Sequence, residues 1–283
     1  MQAKGPVKAI EVVRYGGSER GAEDLLAVEE PLEIKLEFGP EHDRQQRNIA
    51  VTMRTPGNDL ALAAGFLVGE GLLRNADDIF KIDHCANVRK PEEFGNVVRV
   101  ELRPGLLPDL SRMERNFYTS SSCGVCGKAS IEAIGMAGCP VILDSGRRFS
   151  PDFIRGLPGL AMDSQTVFKH TGGLHAATIF DAAGNLLVSC EDIGRHNAVD
   201  KAVGSLFLAG KFPLQDRLLL VSGRAGFELV QKALFAGIGL MVAVGAPSSL
   251  AVDLARQHGL TLVGFLRGDR FNVYAGNERI LPE

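Results

Sequence analysis

Cys123 and Cys126 stand in the stretch YTSSSCGVCGKASIEAIG, residues 118–135, with two residues between them in a run of small and polar side chains. Two thiols so spaced can hold zinc, pack as small hydrophobes, or act as nucleophiles. A closed structural zinc site takes four ligands, usually from two such pairs. The chain has one Cys-x-x-Cys, so Cys85, Cys139 or a histidine would have to complete the set, and nothing in the spacing requires it. Packing accounts well for Cys85, Cys139 and Cys190, which sit in apolar or strand-like contexts. It accounts poorly for Cys123 and Cys126, because a stretch of Ser, Thr and Gly needs no thiol to fill it. Thiol chemistry needs a thiolate, whose formation is favoured beside a cation or a helix N-terminus. The run GKASIEAIGMAG after Cys126 has the apolar spacing of a short helix and carries Lys128, so both influences are available. A second thiol within reach can also resolve a disulfide or persulfide formed on the first.

Catalytic zinc has its own signature. GLHAATIF places His175 where zinc deaminases carry His-x-Glu, with the glutamate as acid and base. Here the residue two after His175 is Ala177, and the cysteine pair precedes the histidine instead of following it. An ordinary buried or hydrogen-bonded His175 explains the stretch better than a zinc ligand does.

The elements around these residues fall into two textures. NIAVTMRT and NVVRVELRP read as strands, and NDLALAAGFLVGEGLL between them as a helix with Asn58 at its N-cap and Gly69 and Gly71 at its end. The first hundred residues thus form a small α+β unit. RPGLLPDLSRMERNFYTSSS, residues 103–122, is rich in Pro, Ser and charge and reads as a linker. Beyond it, HAATIF and NLLVSCEDI flank the turn Asp181–Asn185 as a hairpin. Apolar strands and helices then alternate from residue 196 to 267, and a helix over 249–258 is framed by Ser248 or Ser249 and by Gly259. That alternation predicts a buried, largely parallel sheet with helices on its faces. In such sheets ligands collect where strands run into helices. Those turns are SCEDIGRHNA, VSGRAGFE, AVGAPSSL and FLRGDRFN, rich in Gly, Ser, Arg and Asp, as suits backbone that must approach an anion.

Composition narrows the function. A chain of 283 residues with 45% hydrophobic and 23% charged residues is an ordinary globular protein. Its net charge of −3 argues against wholesale nucleic-acid binding. No apolar run is long enough to span a membrane, and the first twenty residues lack the apolar core of a secretory signal. A cytoplasmic location is expected, and five irregularly spaced cysteines do not form the framework of a small secreted domain.

Seven stretches then carry a resemblance. SSSCGVCGKASI, FKHTGGLHAA, EDIGRHNAVDKAVG, VSGRAGFELVQKA, APSSLAVDLA and LVGFLRGDRFNVYA, preceded by RTPGNDLALAAGFLVGEGLL, run in order and resemble the formate dehydrogenase accessory sulfurtransferases (FdhD). The resemblance implies a smaller N-terminal α+β domain over residues 1–112. It implies an α/β domain over 113–283 with a mixed sheet, helices on both faces, and a cytidine deaminase fold without its zinc. It implies that Cys123 accepts persulfide sulfur from a cysteine desulfurase, with Cys126 supporting or sharing the role. The acceptor would be the molybdenum cofactor in its bis-molybdopterin guanine dinucleotide form, which then enters the catalytic subunit of formate dehydrogenase. The segment Phe265, Leu266, Arg267, Gly268, Asp269 and Arg270 would bind the guanine nucleotide part, for which a free guanine nucleotide would be a mimic. A homodimer is implied as well.

Residue chemistry adds reasons of its own. Arg267 and Arg270, with Arg224 and Arg195, can give charge-assisted bonds to pyrophosphate, or can be solvated or ion-paired surface side chains. Asp269 can meet a guanine edge or pair with a neighbouring arginine. Asp192 fits a network that starts the following helix, and His196 a proton-steering role. Two rival functions stay open: a non-covalent chaperone for the cofactor or for apo formate dehydrogenase, and a zinc hydrolase on the deaminase scaffold.

Overall fold

The computed structural model describes residues 5–15, 21–86, 88, 90–110 and 138–283. Cys123, Cys126 and Lys128, and the expected boundary near residue 112, lie outside the described residues.

The chain begins with an antiparallel pair, β1 (Val7–Val13) and β2 (Gly21–Ala27). Next comes a sheet of β3 (Glu30–Phe38), β4 (Gln45–Arg54), β5 (Ile79–His84) and β6 (Val97–Leu102), in the order β4-β3-β6-β5. Strand β3 is EPLEIKLEF, and its alternation sends Leu32, Ile34, Leu36 and Phe38 to one buried face. Helix α1 (Asp59–Gly69) belongs to the same buried cluster through Leu62, Ala63, Ala64, Leu67 and Val68.

Asn58 does precede that helix, but not as the sequence suggests. Its backbone is left-handed (φ 55°) and its side chain makes no cap hydrogen bond. Its Nδ2 instead lies 3.8 Å from Sγ of Cys190. The carboxylate of Asp59 takes up the local donors, accepting from Gly57 N and from Nε and Nη2 of Arg54.

The second sheet holds β7 (His175–Phe180), β8 (Leu186–Asp192), β9 (Leu218–Val221), β10 (Leu240–Ala243), β11 (Thr261–Arg267) and β12 (Arg270–Ala275), in the order β12-β11-β10-β9-β7-β8. It is less parallel than the alternation predicts. Strands β9, β10 and β11 run parallel, while β7, β8 and β12 pair antiparallel with their neighbours. The cause lies in the connections, because the Asp181–Asn185 and Gly268–Asp269 turns are too short to cross over and can only reverse the chain. In the first of them the Asp181 carboxylate accepts from the backbone N–H of Ala183 and Asn185.

Strands β9 and β10 are LLLV and LMVA, buried at every position, as strands covered on both faces must be. Leu219, Val221, Met241 and Ala243 join the main core with α4 (Arg195–Leu208), α5 (Phe227–Phe235) and α6 (Ser249–His258). Leu218, Leu220, Leu240 and Val242 face the other way, onto Ile154, Leu157 and Ala161 of α2 (Pro151–Met162). A short α3 (Thr166–Thr171) precedes β7. Helix α6 keeps its expected frame, since Ser248 Oγ accepts from Ala251 N and Gly259 is left-handed (φ 71°).

The two sheets meet through α1 and α4. A Cβ on Gly65 would lie 1.9 Å from the carbonyl oxygen of Asp200, and one on Gly204 would lie 1.9 Å from that of Ala61. No side chain larger than hydrogen fits at either point, so the two helix backbones touch. Leu32, Leu62 and Val98 from the first half share one core with Val199, Val203 and Leu219 from the second. Among the described residues no helix is long and apolar enough to cross a membrane.

Candidate functional site

The ladder registers bring five strand ends to one edge of the second sheet. His175 at the start of β7 pairs with Asp192 at the end of β8, Ala177 pairs with Val221 of β9, and Val221 with Ala243 of β10. Past β10, Phe265 on β11 donates its N–H to the carbonyl of Gly245 at 3.0 Å. The predicted loops therefore converge: IGRHN, SGRAG, GAPSS and the end of β11 form one carboxyl edge. They also bond to each other. Ser222 exchanges bonds with Ala176 through its N–H and its Oγ, Gly245 N donates to Gly223 O, and Ala225 N donates to Ala246 O.

Close approach explains the glycine at residue 245. A Cβ there would lie 2.9 Å from the carbonyl of Gly223 and 3.0 Å from Arg224, so only glycine lets the two loops stack. Helices α4 and α5 start at this edge behind Gly194 and Gly226, with no side chain capping either. The dipoles of both helices favour negative charge at this edge.

The predicted arginines divide. Arg195 is partly buried at the start of α4, its side chain beside Gly223, and its buried Nε has no hydrogen-bond partner among the described residues. Arg224 is exposed in the neighbouring loop. A buried guanidinium N–H is costly to leave unmade, so an unpartnered one at this edge fits an acceptor brought by a ligand. Phe265 completes this group: its backbone is left-handed (φ 55°), rare for an aromatic residue, and its ring is exposed.

The rest of the FLRGDR segment lies elsewhere. Arg267 and Arg270 face each other at the tip of the β11–β12 hairpin, across Gly268 (φ 55°). The tip is tied to the opposite face of the sheet, because Nε of Arg155 on α2 donates to the carbonyl of Asp269 at 2.8 Å. Asp269 thus holds the hairpin through its backbone, and its carboxylate is exposed. The Arg267 guanidinium lies 5.9 Å from the Phe265 ring centre, which links the tip to the edge. Leu266 is buried in the second core, which leaves only its backbone to face a ligand.

Two residues with proposed roles turn out to be fixed in place. Asp192 is fully buried; its Oδ1 accepts from Gly194 N and Asn197 Nδ2, and its Oδ2 from Thr55 N and from Lys201 Nζ at 2.7 Å. It starts α4, as expected, and also binds the first half of the chain through Thr55. His196 lies 3.1 Å from Oε2 of Glu228. Burial, then the charges of Lys232 and Arg195 and the His175 ring, hold its imidazole down to about 3. At neutral pH the ring is uncharged, and the pairing assigns its proton to Nε2, donating to Glu228. His175, half-buried, is held below its usual value by burial and by Arg195. Sequence reasoning missed Lys201, Asn197, Thr55 and Glu228. The signal for the first two was present: polar side chains on the inward stripe of a helix have to find partners.

Among the described residues no group of three or more His, Cys, Asp or Glu is placed to hold a metal ion. Cys190 is buried, and burial pushes its thiol up. The same cause raises the half-buried Cys85.

The chain has relatives along nearly all of its length. A protein from Streptomyces avermitilis named sulfur carrier protein FdhD is 53% identical over 260 residues, covering 91% of this chain and 89% of its own length. Proteins of the same name from Mycobacterium tuberculosis and Anaeromyxobacter dehalogenans are 46% and 44% identical, covering 91% and 98% of this chain and 92% and 94% of their own. A crystal structure of a formate dehydrogenase accessory protein from Desulfotalea psychrophila superposes with a TM-score of 0.69 at 25% identity, covering 97% of this chain and 98% of that one. The model of the FdhD/NarQ family matches residues 27–281, and the chain belongs to that family.

Proposed function

We propose that the protein is a sulfur carrier for the molybdenum cofactor of formate dehydrogenase. The relatives' names support the carrier role, and Cys123 with Cys126 supplies the chemistry. The Cys123 thiolate attacks the outer sulfur of a cysteine desulfurase persulfide; the desulfurase thiolate leaves, and Cys123 holds the sulfur as a persulfide. Attack by the Cys126 thiolate on the Cys123 inner sulfur then expels hydrosulfide and leaves a disulfide between the two cysteines. The two thiols are oxidised, the sulfane sulfur is reduced to sulfide, and a dithiol reductant resets the pair.

The acceptor is bis-molybdopterin guanine dinucleotide, bound as substrate before it reaches the formate dehydrogenase catalytic subunit. The carboxyl edge carries this part of the proposal through one observation: Arg195 presents an unpartnered buried Nε beside Arg224 and the uncapped starts of α4 and α5. Such a cluster suits pyrophosphate, and Phe265 offers an aromatic face for a base. Arg267 and Arg270 extend the charge toward the hairpin tip. We also read the larger sheet as a cytidine-deaminase-like scaffold, with buried Ala177 where the deaminase acid would stand. The carrier works in the cytoplasm as a homodimer.

Cys123→Ala separates this proposal from that of a non-covalent chaperone. Guanosine diphosphate binding, measured by calorimetry, survives the substitution in both. Sulfuration of the cofactor, read from the formate dehydrogenase activity it restores, is lost only if the cysteine carries sulfur.

A further inference from the structure

The opposite edge of the second sheet holds a cavity of about 560 Å³, between the starts of β9 and β10, the loop after α1 and the segment 138–149. That size suits a small organic ligand. Leu73, Phe149, Phe212 and Phe235 give it an apolar wall, and four arginines line it: Arg74, Arg147, Arg217 and Arg279. Among the described residues the lining includes one acid, Asp216, and Asp181 of the β7–β8 turn feels the charge of Arg217.

Three of the four arginines are left free by the described residues. Arg279 is anchored, with Nη1 donating to Gly259 O at 2.7 Å and Thr261 Oγ1 at 3.1 Å. Nearby Asp144 is engaged by Arg148 at 3.1 Å and sits 3.6 Å from Nε of Arg279. Arg74, Arg147 and Arg217 make no ion pair or side-chain hydrogen bond among the described residues. Arg217 is half-buried, and Arg74 and Arg147 are exposed around the pocket, so their donors can meet the acid group of a ligand whose body enters it.

We propose that this cavity binds an amphipathic organic anion, its aromatic or aliphatic body against the phenylalanines and its acid group among Arg74, Arg147 and Arg217. The site lies at the opposite ends of the strands from the carboxyl edge.

The test uses the full chain and 8-anilinonaphthalene-1-sulfonate, an aromatic sulfonate whose emission rises in apolar surroundings. The chain has no tryptophan to transfer energy to the dye. Saturable binding at one site is expected, with neutral N-phenyl-1-naphthylamine at least about tenfold weaker. The double variant Arg147→Ala, Arg217→Ala loses about tenfold or more in dye affinity. Gly239→Phe, which fills the pocket from its lining, removes binding, and Arg224→Ala at the other edge leaves it unchanged. Absence of saturable binding overturns the proposal. So does equal affinity for the neutral dye, or binding that neither the arginine double variant nor the filled pocket alters.

Discussion

Two sets of charged residues lie within one helix length of each other, and they are treated in opposite ways. In the seam between the sheets, Asp192 meets Lys201 at 2.7 Å, Asp200 meets Lys232 at 2.8 Å and Arg54 meets Asp59 at 2.9 Å, all of them buried. At the carboxyl edge, Arg195 and Arg224 have no anionic partner among the described residues. The seam obeys the rule that a buried charge must be paired. The edge withholds that pairing, which leaves its charges for something that binds. Loss of a seam residue should therefore show as lost stability, and loss of an edge residue as lost binding.

The largest effect is expected in the seam. Lys201→Met leaves the Asp192 carboxylate buried without its counter-ion and should cost about 3–5 kcal/mol in denaturant unfolding. Adding Asp192→Asn should recover part of that loss, the signature of a coupled pair; additive losses would break the comparison. Gly204→Ala comes next. Its methyl would strike the Ala61 carbonyl, so α1 and α4 must separate, at a cost of about 1–3 kcal/mol in the same assay.

Edge variants should move stability by less than about 0.5 kcal/mol. Arg224→Ala should instead weaken guanosine diphosphate binding about tenfold by calorimetry. An unchanged affinity would shift the nucleotide toward the Arg267–Arg270 tip. A pH dependence tests the edge in another way. His196 titrates near 6.5 in the unfolded chain and at about 3 in the fold. Between those values the unfolded state binds more protons, so this histidine contributes stability above pH 6.5 that is lost as pH falls toward 3. The His196→Gln variant should show a shallower loss of stability across that window than the parent, compared by urea unfolding at each pH.

Local signals were read well from the sequence and distant partnerships were not. Helix α6 and the Asp181 turn depend on residues a few positions apart, so Ser248, Gly259, Asp181 and Asn185 announce them. Convergence of the four loops follows from the general habit of such sheets. The seam could not be read, because Thr55 and Lys201 are separated by 146 positions and only the fold joins them. The same holds for Gly65 and Gly204, which look like ordinary weak points in helices until their backbones meet. Within FLRGDR, sequence proximity suggested one binding loop. A register shift between Gly264 and Arg267 divides it into an edge residue, a core residue and a hairpin tip.

The proposed sulfur transfer places the sulfur on Cys123 with Cys126 beside it in sequence, and intact-protein mass spectrometry after incubation with a cysteine desulfurase and cysteine tests it most directly. The expected result is one added sulfur on the parent and on Cys126→Ala, absent from Cys123→Ala. No added sulfur on the parent, or an adduct that survives replacement of both cysteines, would contradict it.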